Sequence, residues 1–346
     1  MSLLLLDHSF AWFGKHAGIG QLGQNLSLNG CPNKVIRPRR GILARIAGKA
    51  YSAWMRHPNR DQALAASECE FALRMRLARS PGHVLILEDH IRFLSPPSKH
   101  ARWIGTMHLP RRCWKESDLE YLRALPEVIV LSENVRDEFS DIFNRSQIKV
   151  LPHGVDTDFF RPWAASREAR PRKFIFVGAW LRNTAMLARV IPEISRRFPD
   201  VIFDLVVPLF ARQDPAIRQL SSEPSVRWYH NLSDEDLRTR YQTSTAMLMP
   251  MEDSSANNAV VEALACGLPI ITTDTGGIRS YGGGEVFPLV KNNDDAACLG
   301  LAEAYLNQPE FAARIGRECR AFAETRLAWE IAAKEYIAAY QSLGFV

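Results

Sequence analysis

Residues 257–277 read NNAVVEALACGLPIITTDTGG. Asn257 and Asn258 can cap a helix. Val260, Val261, Leu264 and Ala265 then recur at helical spacing. Cys266-Gly267 ends that helix, because glycine takes the left-handed C-terminal position at least cost. Pro269 opens a short apolar run, PIIT, long enough for a buried strand. Residues 273–277 form a turn at its carboxyl end, where open α/β sheets place their ligands. The one charge in the helix is Glu262, which this spacing puts in the first turn, near free N–H groups and the positive end of the dipole. A carboxylate there can hold the vicinal hydroxyls of a sugar while the N–H groups hold phosphate. The plainer alternative is an ordinary helix charge.

Outward from this stretch, apolar runs alternate with amphipathic segments. Strands are predicted at 3–6, 83–87, 101–107, 128–131, 148–151, 174–177, 201–207, 226–229, 246–250 and 285–290. Helices are predicted at 21–28, 41–56, 61–80, 133–143, 185–197, 233–241, 296–306, 309–325 and 329–343. Such alternation makes parallel sheets. The fold class expected is α/β, two Rossmann-like halves meeting at a cleft. The first spans 1–162 and the second 163–325, with a final helical segment at 326–346 and a Pro- and Arg-containing linker at 159–172.

Composition narrows the field. With 346 residues and 47% hydrophobic content the chain can bury two cores. Its six cysteines are scattered and form no CxxC pair, so neither a zinc site nor a disulfide framework is indicated, and a reducing compartment fits. The opening LLLL is too short for a signal sequence and runs into Asp7, so it reads as a first buried strand. No apolar run approaches the ~20 residues of a membrane span. The net charge of +5 is unevenly placed, and residues 8–60 contain no Asp or Glu. A block of that kind implies an anionic partner or a solvated basic face. Within it, GILARIAGKAYSAWMR (41–56) reads as a basic amphipathic helix, suited either to an anionic membrane or to packing against the first sheet. Nucleic acid rests on the basic block alone and is not expected as a partner.

Several polar groups fall at predicted strand ends. After the first strand comes Phe13-Gly14-Lys15-His16-Ala17-Gly18-Ile19-Gly20, in which Gly18 and Gly20 let backbone approach a ligand. Glu88-Asp89-His90 follows the HVLIL strand, and Pro96-Pro97 marks a loop. His108 follows the strand at 101–107, His230-Asn231 the strand at 226–229, and Gly178 the strand at 174–177.

These segments resemble the retaining GT-B glycosyltransferases of the "glycosyl transferases group 1" class. That family carries E-A-x-A-C-G-x-P-V-V followed by T-x-x-G-G, here EALACGLPII and TDTGG. Its T-x-H-x-P-like segment is matched by Thr106-Met107-His108-Leu109-Pro110, its P-N/H-G-V-D element by Pro152-His153-Gly154-Val155-Asp156, and its base-binding turn by His230-Asn231. The loop of His16, Gly18, Ile19 and Gly20 is similar in position to its GGxGR-type loop, which faces the donor phosphates and acceptor. There are two departures. The family's G-R-x4-K phosphate clamp reads Gly178, Ala179 and Thr184 here, leaving Arg182 as the nearby cation. The family's second glutamate, eight residues before the helix glutamate, is Ser254, with Glu252 and Asp253 close by.

The resemblance implies a first domain that binds acceptor and a second that binds nucleotide-sugar, with the last helix returning to the first. It implies a metal-independent, retaining hexosyltransferase with no cofactor. Glu262 would hold ribose. Arg182 and the helix N-terminal amides would hold the diphosphate, with His108 beside the reacting sugar as the second catalytic group. Asn257, Asn258, Ser254, Ser255, Val261, Gly178, His230 and Asn231 complete the expected donor site. The partners implied are a nucleotide-sugar and a glycan or lipid-linked acceptor, and the place is the cytoplasm, with peripheral contact to an anionic membrane as an option. Two alternatives remain: a nucleotide-sugar-binding protein without transfer, and a nucleotide-sugar epimerase, which needs no acceptor.

Overall fold

The computed structural model describes residues 2–8, 14–56, 60–87, 102–123, 125–163 and 171–346. Phe13, Glu88, Asp89, His90, Pro96, Pro97, Ala101 and linker residues 164–170 lie outside the described residues. In chain order the elements are β1 (Leu3–Leu6), α1 (Leu22–Leu28), β2 (Asn33–Ile36), α2 (Ile42–Trp54), α3 (Gln62–Ala78), β3 (Gly82–Leu87), β4 (Trp103–Met107), α4 (Glu116–Leu122), β5 (Val128–Val130), α5 (Glu133–Glu138) and β6 (Ile148–Val150). They continue with β7 (Lys173–Val177), α6 (Thr184–Arg197), β8 (Ile202–Val206), α7 (Pro215–Gln219), β9 (Val226–Tyr229), α8 (Asp234–Thr243), β10 (Ala246–Leu248), α9 (Asn258–Ala265), β11 (Ile270–Thr273), β12 (Leu289–Val290), α10 (Asp295–Asn307), α11 (Pro309–Phe322) and α12 (Trp329–Ser342).

The chain divides into two compact units. The first holds residues 2–8, 18–154 and 329–346 among those described. Its parallel sheet runs β2-β1-β3-β4-β5-β6. The LLLL run is apolar throughout because both of its faces are covered. Leu4 and Leu6 face Phe71 of α3 and Leu119 of α4, whereas Leu3 and Leu5 face Leu22 of α1 and Tyr336 of α12. Tyr340 of α12 is tied to the sheet through His83, whose Nδ1 lies 2.7 Å from the tyrosine hydroxyl and whose Nε2 lies 2.7 Å from Thr106 Oγ1. Burial pushes the His83 imidazole down to about 3, so it is a neutral hydrogen-bonding strut.

The second unit holds 14–17 and 155–328. Its sheet runs β12-β11-β10-β7-β8-β9, every pair parallel. The chain grows from β7 outward to β9, then returns to add β10 to β12 on the other side of β7. That is the doubly wound order, and its reversal between β7 and β10 opens a crevice at the carboxyl ends of those two strands. The expected α/β class with Rossmann-like sheets is the one found. Within the unit, Arg320 of α11 donates from Nη1 to the carbonyls of Thr157 (2.9 Å), Phe160 (2.8 Å) and Ala265 (2.7 Å).

Arg320→Met leaves those carbonyls without their cationic donor. It is expected to destabilise the protein by ~2–4 kcal/mol in chemical denaturation. Arg314→Met on the same helix removes a surface i,i+4 pair with Glu318 and a cation–π contact with Phe311, and is expected to change stability by less than ~1 kcal/mol.

Candidate functional site

The crevice of the second unit is built from the turn after β7 and the loop after β10. Gly178 leaves the sheet at φ +91° and donates its N–H to the Val206 carbonyl at 3.0 Å. Leu181 is also left-handed, at φ 57°. The two loops are then pinned together: Asn183 N–H reaches the Pro250 carbonyl at 2.9 Å and Glu252 N–H the Leu181 carbonyl at 3.0 Å. This turns the Arg182 guanidinium inward. Nε donates to the Val177 carbonyl (3.1 Å), Nη1 to the Trp180 carbonyl (3.0 Å) and Nη2 to Asn257 Oδ1 (3.3 Å). A Cβ on residue 178 would sit 2.9 Å from Arg182 Nη2, so glycine keeps the guanidinium's place open. Desolvation lowers Arg182 to about 10, which leaves it charged at neutral pH.

Asn257 is the N-cap of α9: its backbone is extended and its Oδ1 accepts from Ala259 N–H at 3.0 Å. Asn258 is therefore the first helical residue. Glu262 is the fifth and lies past the first turn, which holds no acid. The expected first-turn placement is corrected accordingly: the N–H groups of Ala259, Val260 and Val261 at the helix start bond Asn257 and do not hold this carboxylate. Glu262 is 5% exposed and accepts the Tyr241 hydroxyl on Oε2 at 2.9 Å. Burial raises its carboxyl to about 8, against the opposing pull of the tyrosine hydrogen bond. Neighbouring Val261 is fully buried and contributes packing. At the far end, Gly267 N–H bonds the Leu264 carbonyl and Leu268 N–H the Ala263 carbonyl at 2.9 Å each, with Gly267 at φ +62°.

The loop from Met251 to Asn257 is locked to the turn after β11. Thr273 Oγ1 accepts from Met251 N–H (2.8 Å) and donates to the Met251 carbonyl (2.5 Å), and Gly277 N–H bonds the Ser254 carbonyl (2.5 Å). Gly276 sits at φ +53°, and a Cβ there would come within 2.3 Å of the Ser254 carbonyl oxygen. Ser254 is buried. Asp253 turns its carboxylate onto the Ser254 N–H at 2.8 Å, while the Glu252 side chain is exposed. The Ser255 hydroxyl is buried beside the start of α9 without a hydrogen-bond partner.

Arg182 and Asn257 are thus brought together, and Glu262 meets Tyr241, the member that sequence reasoning missed. Its position in α8 reads as an ordinary buried aromatic, 21 residues from the acid it serves. His230 and Asn231 follow β9, two strands from the reversal point. Asn231 is left-handed at φ 49°, and the neighbouring Tyr229 carbonyl is held by Arg212 at 3.0 Å. His16 is fixed within the second unit: Nδ1 is 2.8 Å from Asp156 Oδ2, and the ring stacks on Phe159 at 3.5 Å. Gly18, Ile19 and Gly20 belong to the first unit, where Gly18 at φ +82° starts a single 3-10 turn.

His108 follows β4 in the first unit. Its Nδ1 is 3.2 Å from the Thr106 carbonyl, which only accepts, so Nδ1 carries the proton and Nε2 presents a lone pair. Nε2 is buried with no hydrogen-bond partner. Burial, with His153 nearby, lowers this imidazole to about 3 and keeps it neutral. Among the described residues, no group of three or more His, Cys, Asp or Glu side chains is arranged to hold a metal ion.

Known proteins share this fold. Residues 171–307 match the family described as Glycosyl transferases group 1. The MMP alpha-(1->4)-mannosyltransferase of Mycolicibacterium hassiacum is 26% identical over 250 residues, covering 69% of this chain and 58% of that protein. The chain spans little more than half the length of several curated relatives that it matches. Among solved structures, sucrose-phosphate synthase from Thermosynechococcus elongatus superposes with a TM-score of 0.73 at 17% identity over 99% of both chains. Anabaena HepE in complex with UDP and glucose superposes at 0.68 and 16% identity, over 99% of this chain and 100% of that one. The shared fold is GT-B, with two Rossmann-like parallel sheets. Residues 171–307, which contain Arg182, Tyr241, Asn257 and Glu262, are thus similar to the group 1 glycosyl transferases.

Proposed function

We propose that the protein is a retaining glycosyltransferase that moves a sugar from a nucleoside-diphosphate donor to an acceptor hydroxyl. The observation that carries this reading is a buried guanidinium against the N-cap of α9 and a buried acid past the first turn of the same helix. Glu262 accepts the ribose hydroxyls once ionised. Arg182, the Asn258 N–H and the positive end of the α9 dipole hold the diphosphate, a use of helix N-termini that needs no metal. Ser255 offers its unpaired hydroxyl to the same phosphate or sugar. His108 Nε2, a bare acceptor, orients a sugar hydroxyl by accepting its proton in a hydrogen bond and carries no charge of its own. In a retaining, front-face transfer the departing phosphate takes the acceptor's proton. The new glycosidic bond then forms on the face the phosphate leaves, and no carboxylate nucleophile is required. That a solved neighbour was captured with UDP supports a uridine or related donor. The acceptor is a glycan or lipid-linked hydroxyl. A second reading, nucleotide-sugar binding without transfer, is favoured by one feature: the clamp positions hold Ala179 and Thr184, so Arg182 alone supplies charge.

Isothermal calorimetry with UDP, GDP, ADP and CMP, with and without EDTA, is expected to show one base bound and no effect of chelation. Glu262→Ala is expected to weaken that binding at least about thirtyfold, the loss of two hydrogen bonds to a charged group. Unchanged binding by the variant would sink the assignment. Binding without transfer or donor hydrolysis would leave the second reading standing.

The raised Glu262 carboxyl also sets a pH signature. Between its ordinary 4.5 and about 8 the folded protein keeps a proton that the unfolded chain has lost. Stability of the free protein therefore falls as pH rises through that window. Nucleotide hydroxyls favour the ionised form, so affinity rises over the same window and levels off above about 8. Glu262→Gln is expected to flatten both profiles in calorimetric titrations and thermal melts across pH.

A further inference from the structure

Helix α2 packs on α3, outside the layer that covers the first sheet, rather than on the sheet itself. Its inward side is Ala44, Gly48, Tyr51 and Ser52, and the approach is so close that a Cβ on Gly48 would fall 1.9 Å from the Gln62 carbonyl oxygen. At 100° per residue, the opposite side carries Ile42, Leu43, Ile46, Ala50, Ala53 and Trp54 within an arc of about 120°. These include large apolar groups left in water: Leu43 is 83% exposed, Ile46 62% and Trp54 64%. Leu73 and Leu77 of α3 continue the surface across a groove of about 620 Å³ between the two helices.

The border of this face is cationic. Arg45 and Lys49 flank the arc, and Arg39 and Arg40 precede the helix, all four exposed. None of the four makes an ion pair among the described residues. The neighbouring acids are already engaged: Asp7 with Arg37 (2.7 Å), Glu68 with Arg60 (2.5 Å) and Glu70 with Arg74 (2.8 Å). Among the described residues no helix is long and apolar enough to cross a bilayer. An outward apolar arc, a tryptophan at its edge and unpaired cations beside it match a helix lying in the plane of a lipid interface.

We propose that α2, with the exposed end of α3, docks the protein on an anionic phospholipid surface. Ile42, Leu43, Ile46 and Trp54 enter the headgroup–acyl boundary, and Arg39, Arg40, Arg45 and Lys49 pair with lipid phosphates. The inference goes beyond the transferase reading and does not depend on it.

The test is sedimentation of the full chain with vesicles of phosphatidylcholine alone or mixed with phosphatidylglycerol. Binding is expected to the mixed vesicles only. Arg45→Glu with Lys49→Glu is expected to lower the bound fraction at least about tenfold. Ile46→Asp is expected to abolish it; the site is exposed, so circular dichroism and nucleotide calorimetry should stay as in the parent. Raised salt should weaken binding without removing the Ile46 dependence. Vesicle binding that ignores Ile46→Asp overturns the proposal, as does a lack of binding to anionic vesicles at low salt. So does a concentration-dependent dimer in sedimentation velocity that Ile46→Asp dissolves, because a second copy would then be the occupant.

Discussion

One oxygen, Oδ1 of Asn257, accepts both from the amide that starts α9 and from the guanidinium of Arg182. It exists as a meeting point because β10 lies beside β7, which brings the start of α9 against the turn that leaves β7. The pairing holds a cation at the positive end of a helix dipole, an arrangement unfavourable on its own. The groups that accept from Arg182 are two carbonyls and an amide oxygen, none of them charged. Burial without a counter-ion lowers it to about 10. On the proposed function, an anion at this point would relieve both strains together, neutralising the guanidinium and offsetting the positive end of the helix dipole. On the proposed function, the crevice would be ready for a phosphate before one is bound, which is the sense in which pre-organisation lowers the cost of binding.

The same burial acts in the opposite direction on the other ionisable groups. Glu262 is held neutral near pH 7 by desolvation, and His108 is held neutral by desolvation with His153 close to it. Of the three groups argued to touch donor or acceptor, only Arg182 carries charge in the free protein at neutral pH. On the proposed function, electrostatic recognition would thus start at the diphosphate. The proposed ribose contact would follow when hydroxyls replace lost solvation around the Glu262 carboxylate. Tyr241 keeps that carboxyl oriented meanwhile, because its hydroxyl can donate to either protonation state.

Features set by neighbours in sequence were legible there. The unbroken LLLL run announced a strand covered on both faces, and Cys266-Gly267 announced a helix end that the two carbonyl-satisfying bonds of Gly267 and Leu268 then realise. Features set across the sheet were not. Strand β2, with Asn33 and Lys34, sits at a sheet edge where only one side must be apolar, and its pattern is too polar to announce itself. Helices α4 and α7 are short, at 7 and 5 residues, and too brief for a period to register. The doublet Asn257-Asn258 offered two caps, and only backbone geometry decides between them, which moved Glu262 out of the first turn. The Arg182–Asn257 bond joins positions 75 residues apart. Periodicity identifies a strand without naming its neighbours. The shortage of other cations therefore pointed to Arg182, and only the order of strands in the sheet supplied its partner.

Helix α2 shows the limit of reading amphipathicity as a guide to the core. A moment is the same whether the apolar arc points inward or outward; what decides is which residues let a neighbour approach. Here the approach is made by Gly48 and Ser52, whose small side chains let α2 lie against the backbone at the start of α3. That contact needs no apolar residue at 42, 43, 46 or 54. Polar, helix-favouring residues at those four positions would preserve the contact and remove the cost of wetting about four large side chains. Among the described residues, folding of the first unit therefore supplies no physical reason for the arc. A lipid interface does, because it rewards the same four side chains and the cations beside them at once.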